Sequence, residues 1–191
     1  MITHHPSSPR HFGLRGLPSF GPDRLATALA HALDDRYHYV RHVLTPGAAP
    51  IDAVLVGPSG TWTFIHGREA GRFRRRNGHW YRWNPTTDSW IPWEAREVTA
   101  ARLAGHRLEL LLDRAALPAA VRACLVPARG ADVSWEPDQR PGIYAPSSDA
   151  LERFAASIDG DEVLAQAQVD RIVALLDPRQ PIVRLATSPG R

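Results

Sequence analysis

Residues 51–76 read IDAVLVGPSGTWTFIHGREAGRFRRR, and this stretch decides the fold. Residues 51–56 form an apolar run interrupted only by Asp52, and residues 61–65 are mainly β-branched and aromatic, as is typical of strands. The Gly-Pro-Ser-Gly sequence between the two runs has turn chemistry, and it is too short for a phosphate-binding loop and lacks its lysine. The stretch therefore predicts two strands joined by a tight turn.

The second strand also predicts which polar side chains lie together. Side chains alternate between the two faces of a strand. His66 and Arg68 are therefore expected on one face, near Asp52, whereas Glu69 points to the opposite face. A bulge at Gly67 is the one device that would bring Glu69 to the same side, and glycine permits it.

A dense cluster of arginine and aromatic residues follows, with Asn77-Gly78 as a strong hairpin turn signal. The candidate nucleic-acid-binding residues of this ribbon are Arg72, Arg74, Arg75, Arg76, Arg82, Trp80 and Trp83. Such a surface could follow a phosphate backbone and stack exposed bases. It could equally be a solvated hairpin whose tryptophans cover one end of the core, since aromatic side chains at strand spacing are usually packing residues.

The flanking segments predict the remaining elements. Helical periodicity is expected from Pro22 to about Asp35, from Ala95 to before Pro118, and over residues 150–158 and 161–176. Strands are expected at residues 37–44, 121–127 and 130–135, with a last edge strand at Ile143-Tyr144. This order predicts an α/β fold with a mixed central sheet flanked by helices.

Composition sets the limits of this domain. The 191 residues suffice for one domain, for which we expect a flexible arm at 1–20, the folded part at 21–177 and a polar tail at 178–191. No apolar run approaches the roughly 18 residues of a membrane span, so we expect a cytoplasmic protein without membrane contact. The lone Cys124 lies in an apolar stretch and is expected to be a buried, inert thiol.

The charge pattern gives only weak information about partners. All 23 basic residues are arginine, a bias that a GC-rich genome explains without functional selection. The net charge of +3 is modest, and the position of a charge cluster says more about binding than the total does.

The segment IDAVLVGPSGTWTFIHGR resembles the central hairpin of the NERD (nuclease-related) domains, relatives of the PD-(D/E)XK nucleases. The resemblance covers about residues 20–177 and implies a restriction-endonuclease-like core. Members of the family typically carry an Asp on the first strand, the turn GPSG, and Glu-x-Lys or Gln-x-Lys at the end of the second strand. Here Asp52 and the turn are kept, and His66 and Arg68 occupy the other two positions.

The resemblance also implies a role for the first helix, on which an acidic residue can join the active site. Asp23 is the best positional match in this chain. The alternative is that Asp23 merely caps the helix.

The chemistry of the changed positions weighs against cleavage. A hard divalent cation needs at least two oxygen ligands, and Asp52 supplies one carboxylate. His66 offers a neutral nitrogen, a poor ligand for Mg²⁺, and Arg68 stays charged, so that it could bind phosphate but could not deprotonate water.

Two functional classes follow from this. The first is a lapsed nuclease domain that needs no cofactor and binds DNA, RNA or a protein partner. The second is an active nuclease that uses Mg²⁺ or Mn²⁺ at a rearranged site of Asp52, Glu69, His66 and Asp23. A third alternative is a purely structural subunit of a complex.

Overall fold

The computed structural model describes residues 1–4, 23–45, 49–135 and 143–177. Its helices are α1 Arg24–Ala32, α2 Arg96–Arg114, α3 Leu151–Ala156 and α4 Gln166–Leu176. Its strands are β1 Ile2–His4, β2 His38–Val43, β3 Ile51–Gly57, β4 Gly60–His66, β5 Gly71–Arg76, β6 His79–Asn84, β7 Ser89–Pro92, β8 Val121–Val126 and β9 Ala131–Trp135. The expected α/β class is confirmed.

The first sheet is mixed and has the strand order β1-β2-β3-β4-β8. Strands β2, β3 and β4 form an antiparallel meander, in which Leu55 lies opposite Trp62. Strand β8 is parallel to β4, and α2 lies in the long connection between them. As a result β2, β4 and β8 all run in the same direction and end at the same edge of the sheet.

Both faces of this sheet are covered by helices. One face packs Leu55 and Phe64 against α1 and α3, through residues such as Leu25 and Phe154. The other face packs β2 and β3 against α2 and α4, as in the cluster that contains Val54. A strand buried on both faces needs apolar residues at successive positions, which explains the near-continuous apolar run of β3.

The second sheet has the order β7-β6-β5-β9. Strands β5, β6 and β7 lie in the chain between β4 and α2, whereas β9 follows β8. Trp80 and Val133 of this sheet pack against a buried cluster that includes Val98 of α2 and Leu125 of β8. One face of the second sheet therefore closes the end of the core.

The turn between β3 and β4 is fixed by contacts with residues from distant parts of the chain. An added Cβ at Gly57 would lie 2.0 Å from Cδ1 of Tyr37, so the ring rests directly on the glycine. The Tyr37 hydroxyl is 3.0 Å from both Ser59 Oγ and Asp159 Oδ1. The backbone N–H groups of Val163 and Leu164 donate to the Pro58 carbonyl. The Gly-Pro-Ser-Gly segment is thus a structural turn, as predicted.

Two helix boundaries differ from the sequence prediction. Helix α1 ends at Ala32 instead of Asp35 because the Asp34 carboxylate accepts the Arg36 N–H at 2.9 Å, a local turn that competes with the helix. Helix α4 begins at Gln166 instead of residue 161, because Val163 and Leu164 bind the β3–β4 turn instead.

Two predictions about strands are also wrong. Residues 2–4 were expected in a flexible arm, but they form β1, where His4 is buried and its Nε2 lies 3.1 Å from His38 Nδ1. Burial, together with the nearby His4, lowers the pKa of His38. Tyr144 makes a single bridge to Cys124 in place of an edge strand, whereas Cys124 is buried as expected, and its burial raises the pKa of the thiol. Most of the expected arm and the tail at 178–191 lie outside the described residues.

None of the helices in the described ranges combines the length and the apolarity that crossing a bilayer requires.

The contact between Tyr37 and Gly57 gives a direct test of the fold. We expect Gly57→Ala to lower the free energy of unfolding by about 1–3 kcal/mol, because the new methyl group overlaps the ring of Tyr37. Gly160→Ala is the matched control, since an added Cβ there meets nothing within 4 Å, and its effect should stay within about 0.5 kcal/mol. Urea unfolding measures the free energy of unfolding of both variants. Equal values would show that the position of the Tyr37 ring does not require a glycine at residue 57.

Candidate functional site

A cavity of about 180 Å³ lies where β2, β4 and β8 end, beside the start of α1. Its charged walls come from Asp23, Arg24, Arg41, Asp52 and Arg129, and two histidines, His42 and His66, complete its polar lining. Leu25, Val126 and Leu151 provide apolar surface. The edge of a sheet where parallel strands end is a common location for ligand sites in α/β proteins.

Asp52 reaches this cavity because the alternation of β3 is broken at that residue. Ile51 packs with the α2 and α4 cluster, whereas Ala53 packs with the α1 and α3 cluster, although residues two apart in a regular strand share a face. In the neighbouring strand His42 adopts a φ of 53°. This local distortion of both strands places Asp52 and His42 in the wall of the same cavity.

His66 is the partner of Asp52. Its backbone N–H donates to Asp52 Oδ2 at 2.8 Å, and its ring Nδ1 lies 3.5 Å from the same oxygen. Burial raises the pKa of the Asp52 carboxyl, but the side chain and the backbone N–H of His66 outweigh it, so that the pKa lies below its usual value. The predicted proximity of Asp52 and His66 is confirmed.

Asp23 caps the first helix and also contacts two residues of β2. Its Oδ1 accepts the Ala26 N–H at 3.0 Å, which caps α1. Its Oδ2 accepts the Tyr39 hydroxyl at 3.1 Å and lies 3.7 Å from Arg41 Nε. Burial and the Asp23 charge raise the pKa of Tyr39. Asp23 therefore caps the helix and also lines the cavity beside Asp52.

Arg68 lies elsewhere, which contradicts its predicted position near Asp52. Strand β4 ends at His66, Gly67 donates its N–H to the Val126 carbonyl at 2.8 Å, and Arg68 donates its N–H to Glu97 at 2.7 Å. Because β4 ends at His66, strand alternation does not extend to Arg68 and does not bring it to the same face as His66. Arg68 does not line the cavity.

Glu69 is engaged by the second sheet. Its Oε2 accepts a hydrogen bond from Arg82 Nη1 at 2.8 Å, and it lines a separate small cavity beside Trp93. The rearranged set of Asp52, Glu69, His66 and Asp23 is therefore not assembled in this structure. In the part of the chain that the structure describes, no three His, Cys, Asp or Glu side chains are grouped closely enough to hold a metal ion.

Sequence reasoning missed the cationic residues of the cavity, namely Arg24, Arg41 and Arg129. Arg24 directly follows the helix cap, and Arg41 belongs to a predicted strand, so a signal for both was present. Arg129 lies in the connection after β8 and carried no such signal.

The arginine and aromatic ribbon divides between the two faces of the second sheet. Arg74 lies opposite Tyr81 and Trp83 opposite Trp90, whereas Phe73 lies opposite Arg82 and Arg75 opposite Trp80. By alternation one face carries Arg72, Arg74, Arg76, Tyr81, Trp83 and Trp90, and we call it the outer face. The other face carries Phe73, Arg75, Trp80 and Arg82 toward the core.

On the outer face, arginine side chains stack on aromatic rings. The guanidinium carbon of Arg74 lies 4.2 Å from the ring centre of Trp90, and that of Arg72 lies 5.4 Å from the ring centre of Trp83. The two indole rings are themselves in edge contact at 5.4 Å. Neither Arg72 nor Arg74 forms an ion pair with a described carboxylate, although Asp132 lies beside Arg72 in the ladder.

The core-side members of the ribbon make contacts within the protein. Trp80 packs in edge contact with Trp93 and against the buried cluster. Arg82 lies over Phe73 and pairs with Glu69. Trp80, Arg82 and Arg75 therefore lie on the core-facing side of the second sheet, and their role in nucleic-acid binding stays a prediction.

Comparison of the chain with models of protein families, with curated proteins and with solved structures finds no match.

The pairing of Asp52 with His66 can be tested by titration. We expect His66→Ala to raise the pKa of Asp52 toward its ordinary value of about 3.9, because the variant removes the side-chain partner that favours the carboxylate. A carboxyl group with a lowered pKa stabilises the fold above its unfolded pKa and loses that contribution as the pH falls through its folded pKa. As the pH falls from the unfolded pKa of Asp52 through its folded pKa, the variant should therefore lose less stability than wild type.

Carbon-detected NMR between about pH 2 and pH 7 would measure this pKa. His31→Ala, an exposed histidine of α1, is the control and should leave Asp52 unchanged. An Asp52 pKa that is the same in wild type and His66→Ala would show that the ring does not influence the carboxyl group.

Proposed function

We propose that this chain is a cytoplasmic nuclease-related domain that has lost metal-dependent phosphodiester cleavage and binds nucleic acid through its outer face. The observation that carries the proposal is the stacking of Arg72 and Arg74 on the indole rings of Trp83 and Trp90, without carboxylate partners among the described residues. An arginine that is stacked on an aromatic ring and has no carboxylate partner is well suited to bind phosphate, because its guanidinium group can donate two parallel hydrogen bonds.

The aromatic rings have a supporting role in this proposal. Arginine side chains normally lose considerable rotamer freedom when they bind, and prior stacking on a rigid ring reduces that loss. Trp83 and Trp90 are only partly exposed and carry the arginines on their surfaces. Phosphate contact by the arginines is therefore favoured over base stacking by the tryptophans. The affinity should depend on charge and not on base sequence.

Three features support the loss of cleavage. Asp52 accepts the backbone N–H of His66, at the position where the resemblance to NERD domains implies a metal ligand. Glu69, the carboxylate that could complete a metal site, is paired with Arg82 outside the cavity. The Asp23 carboxylate is engaged by Ala26, Tyr39 and Arg41.

A purely structural subunit is the remaining alternative. It would explain the packed aromatic rings, since tryptophan, tyrosine and arginine are also enriched in protein interfaces. Such a subunit would show no salt-sensitive affinity for DNA or RNA, which distinguishes the two functions.

The role of the outer face is tested by its two stacked arginines. Arg72→Ala with Arg74→Ala should weaken binding of a single-stranded oligonucleotide, independently of its base sequence. Each lost phosphate contact should reduce the slope of log affinity against log salt by roughly 0.7 for single strands. Fluorescence anisotropy at several salt concentrations measures both quantities.

Arg114→Ala with Arg171→Ala is the charge-matched control, because both residues are exposed on helices away from the second sheet. This double variant should retain the wild-type affinity to within a small factor. If both double variants bound equally well, the outer face would be excluded as the binding surface.

The loss of cleavage is tested by nicking of supercoiled plasmid. We expect wild-type protein to produce no nicks with Mg²⁺ or Mn²⁺ beyond those seen with a chelator, because a single carboxylate beside His66 is a poor site for a hard cation. Asp52→Ala and Glu69→Ala serve as comparison variants. Robust metal-dependent nicking by wild type that is lost in both variants would establish an active nuclease instead.

A further inference from the structure

The carboxylates of the cavity beside α1 are already engaged by neighbouring groups of the protein. Asp23 lies 3.7 Å from Arg41 Nε and accepts two further hydrogen bonds. Asp52 accepts the His66 N–H and has the imidazole ring beside it. Both negative charges of the cavity therefore have partners within its own wall.

Two positive charges of the same cavity have no such compensation. Arg24 donates from Nη2 to the Ser148 carbonyl at 3.0 Å, which satisfies one donor with a neutral acceptor and leaves its charge in place. Arg129 forms no hydrogen bond or ion pair with any described residue. Both side chains are exposed and both line the cavity. The cavity thus has an excess of positive charge.

The remaining surface of the cavity is apolar. Leu25, Val126 and Leu151 line it, and each of the three is buried. A volume of about 180 Å³ is smaller than the roughly 300–1,000 Å³ typical of drug-sized ligand sites. The space therefore suits a small molecule with one anionic group and a short apolar body.

We infer that this cavity binds a small organic oxyanion without a metal ion, with Arg24 and Arg129 contacting the anionic group and the leucines contacting its apolar part. The binding is separate from that of the outer face and does not rest on it. A phosphate monoester and a carboxylate share this chemistry, and the experiment distinguishes them.

Phenyl phosphate and benzoate are the probes, each titrated into the protein in the presence of EDTA and followed by amide NMR shifts. We expect at least one of them to bind and to shift the amides of Gly67 and Ala128, which line the cavity. The tighter of the two identifies the preferred anionic group. Inorganic phosphate should bind more weakly than phenyl phosphate, because it cannot contact the apolar surface.

Substitution of the cationic residues then locates the site. Arg24→Gln and Arg129→Gln should each weaken binding roughly tenfold or more, the usual effect of losing a hydrogen bond to a charged group. Arg114→Gln, on an exposed helix end, should leave the affinity unchanged, and so should Arg72→Ala with Arg74→Ala. The Arg72→Ala, Arg74→Ala double variant thereby shows whether the anion binds in the cavity or on the outer face.

Asp52→Asn distinguishes an anion site from a metal site. Removal of a negative charge from the cavity should leave oxyanion binding as tight as in wild type or tighten it, whereas a metal-bridged ligand would be lost. Binding that required added Mg²⁺, or that was unaffected by both Arg24→Gln and Arg129→Gln, would overturn the inference. Failure of both probes to bind in EDTA would overturn it as well.

Discussion

The close approach of the Tyr37 ring to Gly57 is the contact on which much of the structure depends. It is possible only because residue 57 has no side chain. The same turn accepts hydrogen bonds from Arg122 at the Ser59 carbonyl and from Val163 and Leu164 at the Pro58 carbonyl. Segments from the start, the middle and the end of the domain thereby meet at one end of the β3–β4 hairpin.

The opposite end of that hairpin forms the cavity. There the alternation of β3 is interrupted at Asp52, and β4 ends at His66. Because the fold brings α1 to the same edge, Asp23 and Arg24 join residues from four strands and from the connection after β8. A carboxylate in such a place needs a positive or hydrogen-bonding partner, and His66 supplies it within the protein.

The second sheet separates two kinds of aromatic residue by the alternation of its strands. Phe73 and Trp80 close the end of the core, and Arg82 and Glu69 pair beside them. Trp83 and Trp90 instead support arginines on the side away from that core cluster. Because side chains alternate along β5 and β6, the same two strands contribute aromatic residues to the core on one face and stacked arginines to the outer face.

The sequence by itself determined the class of the fold, because the apolar runs of β3, β4 and β8, the glycine turn and the periodicity of α2 follow from local patterns. The sequence also predicted that His66 lies beside Asp52, but in the structure this proximity depends on the break in the alternation of β3 at Asp52, which the local pattern does not show. Only the tertiary structure decided where Arg68 and Glu69 lie. Their positions depend on where β4 ends, which is set by the contacts of Gly67 with β8 and of Arg68 with α2. The cationic side of the cavity was likewise decided by tertiary structure, because Arg24, Arg41 and Arg129 come from distant parts of the sequence and meet only where the helix and strand ends converge.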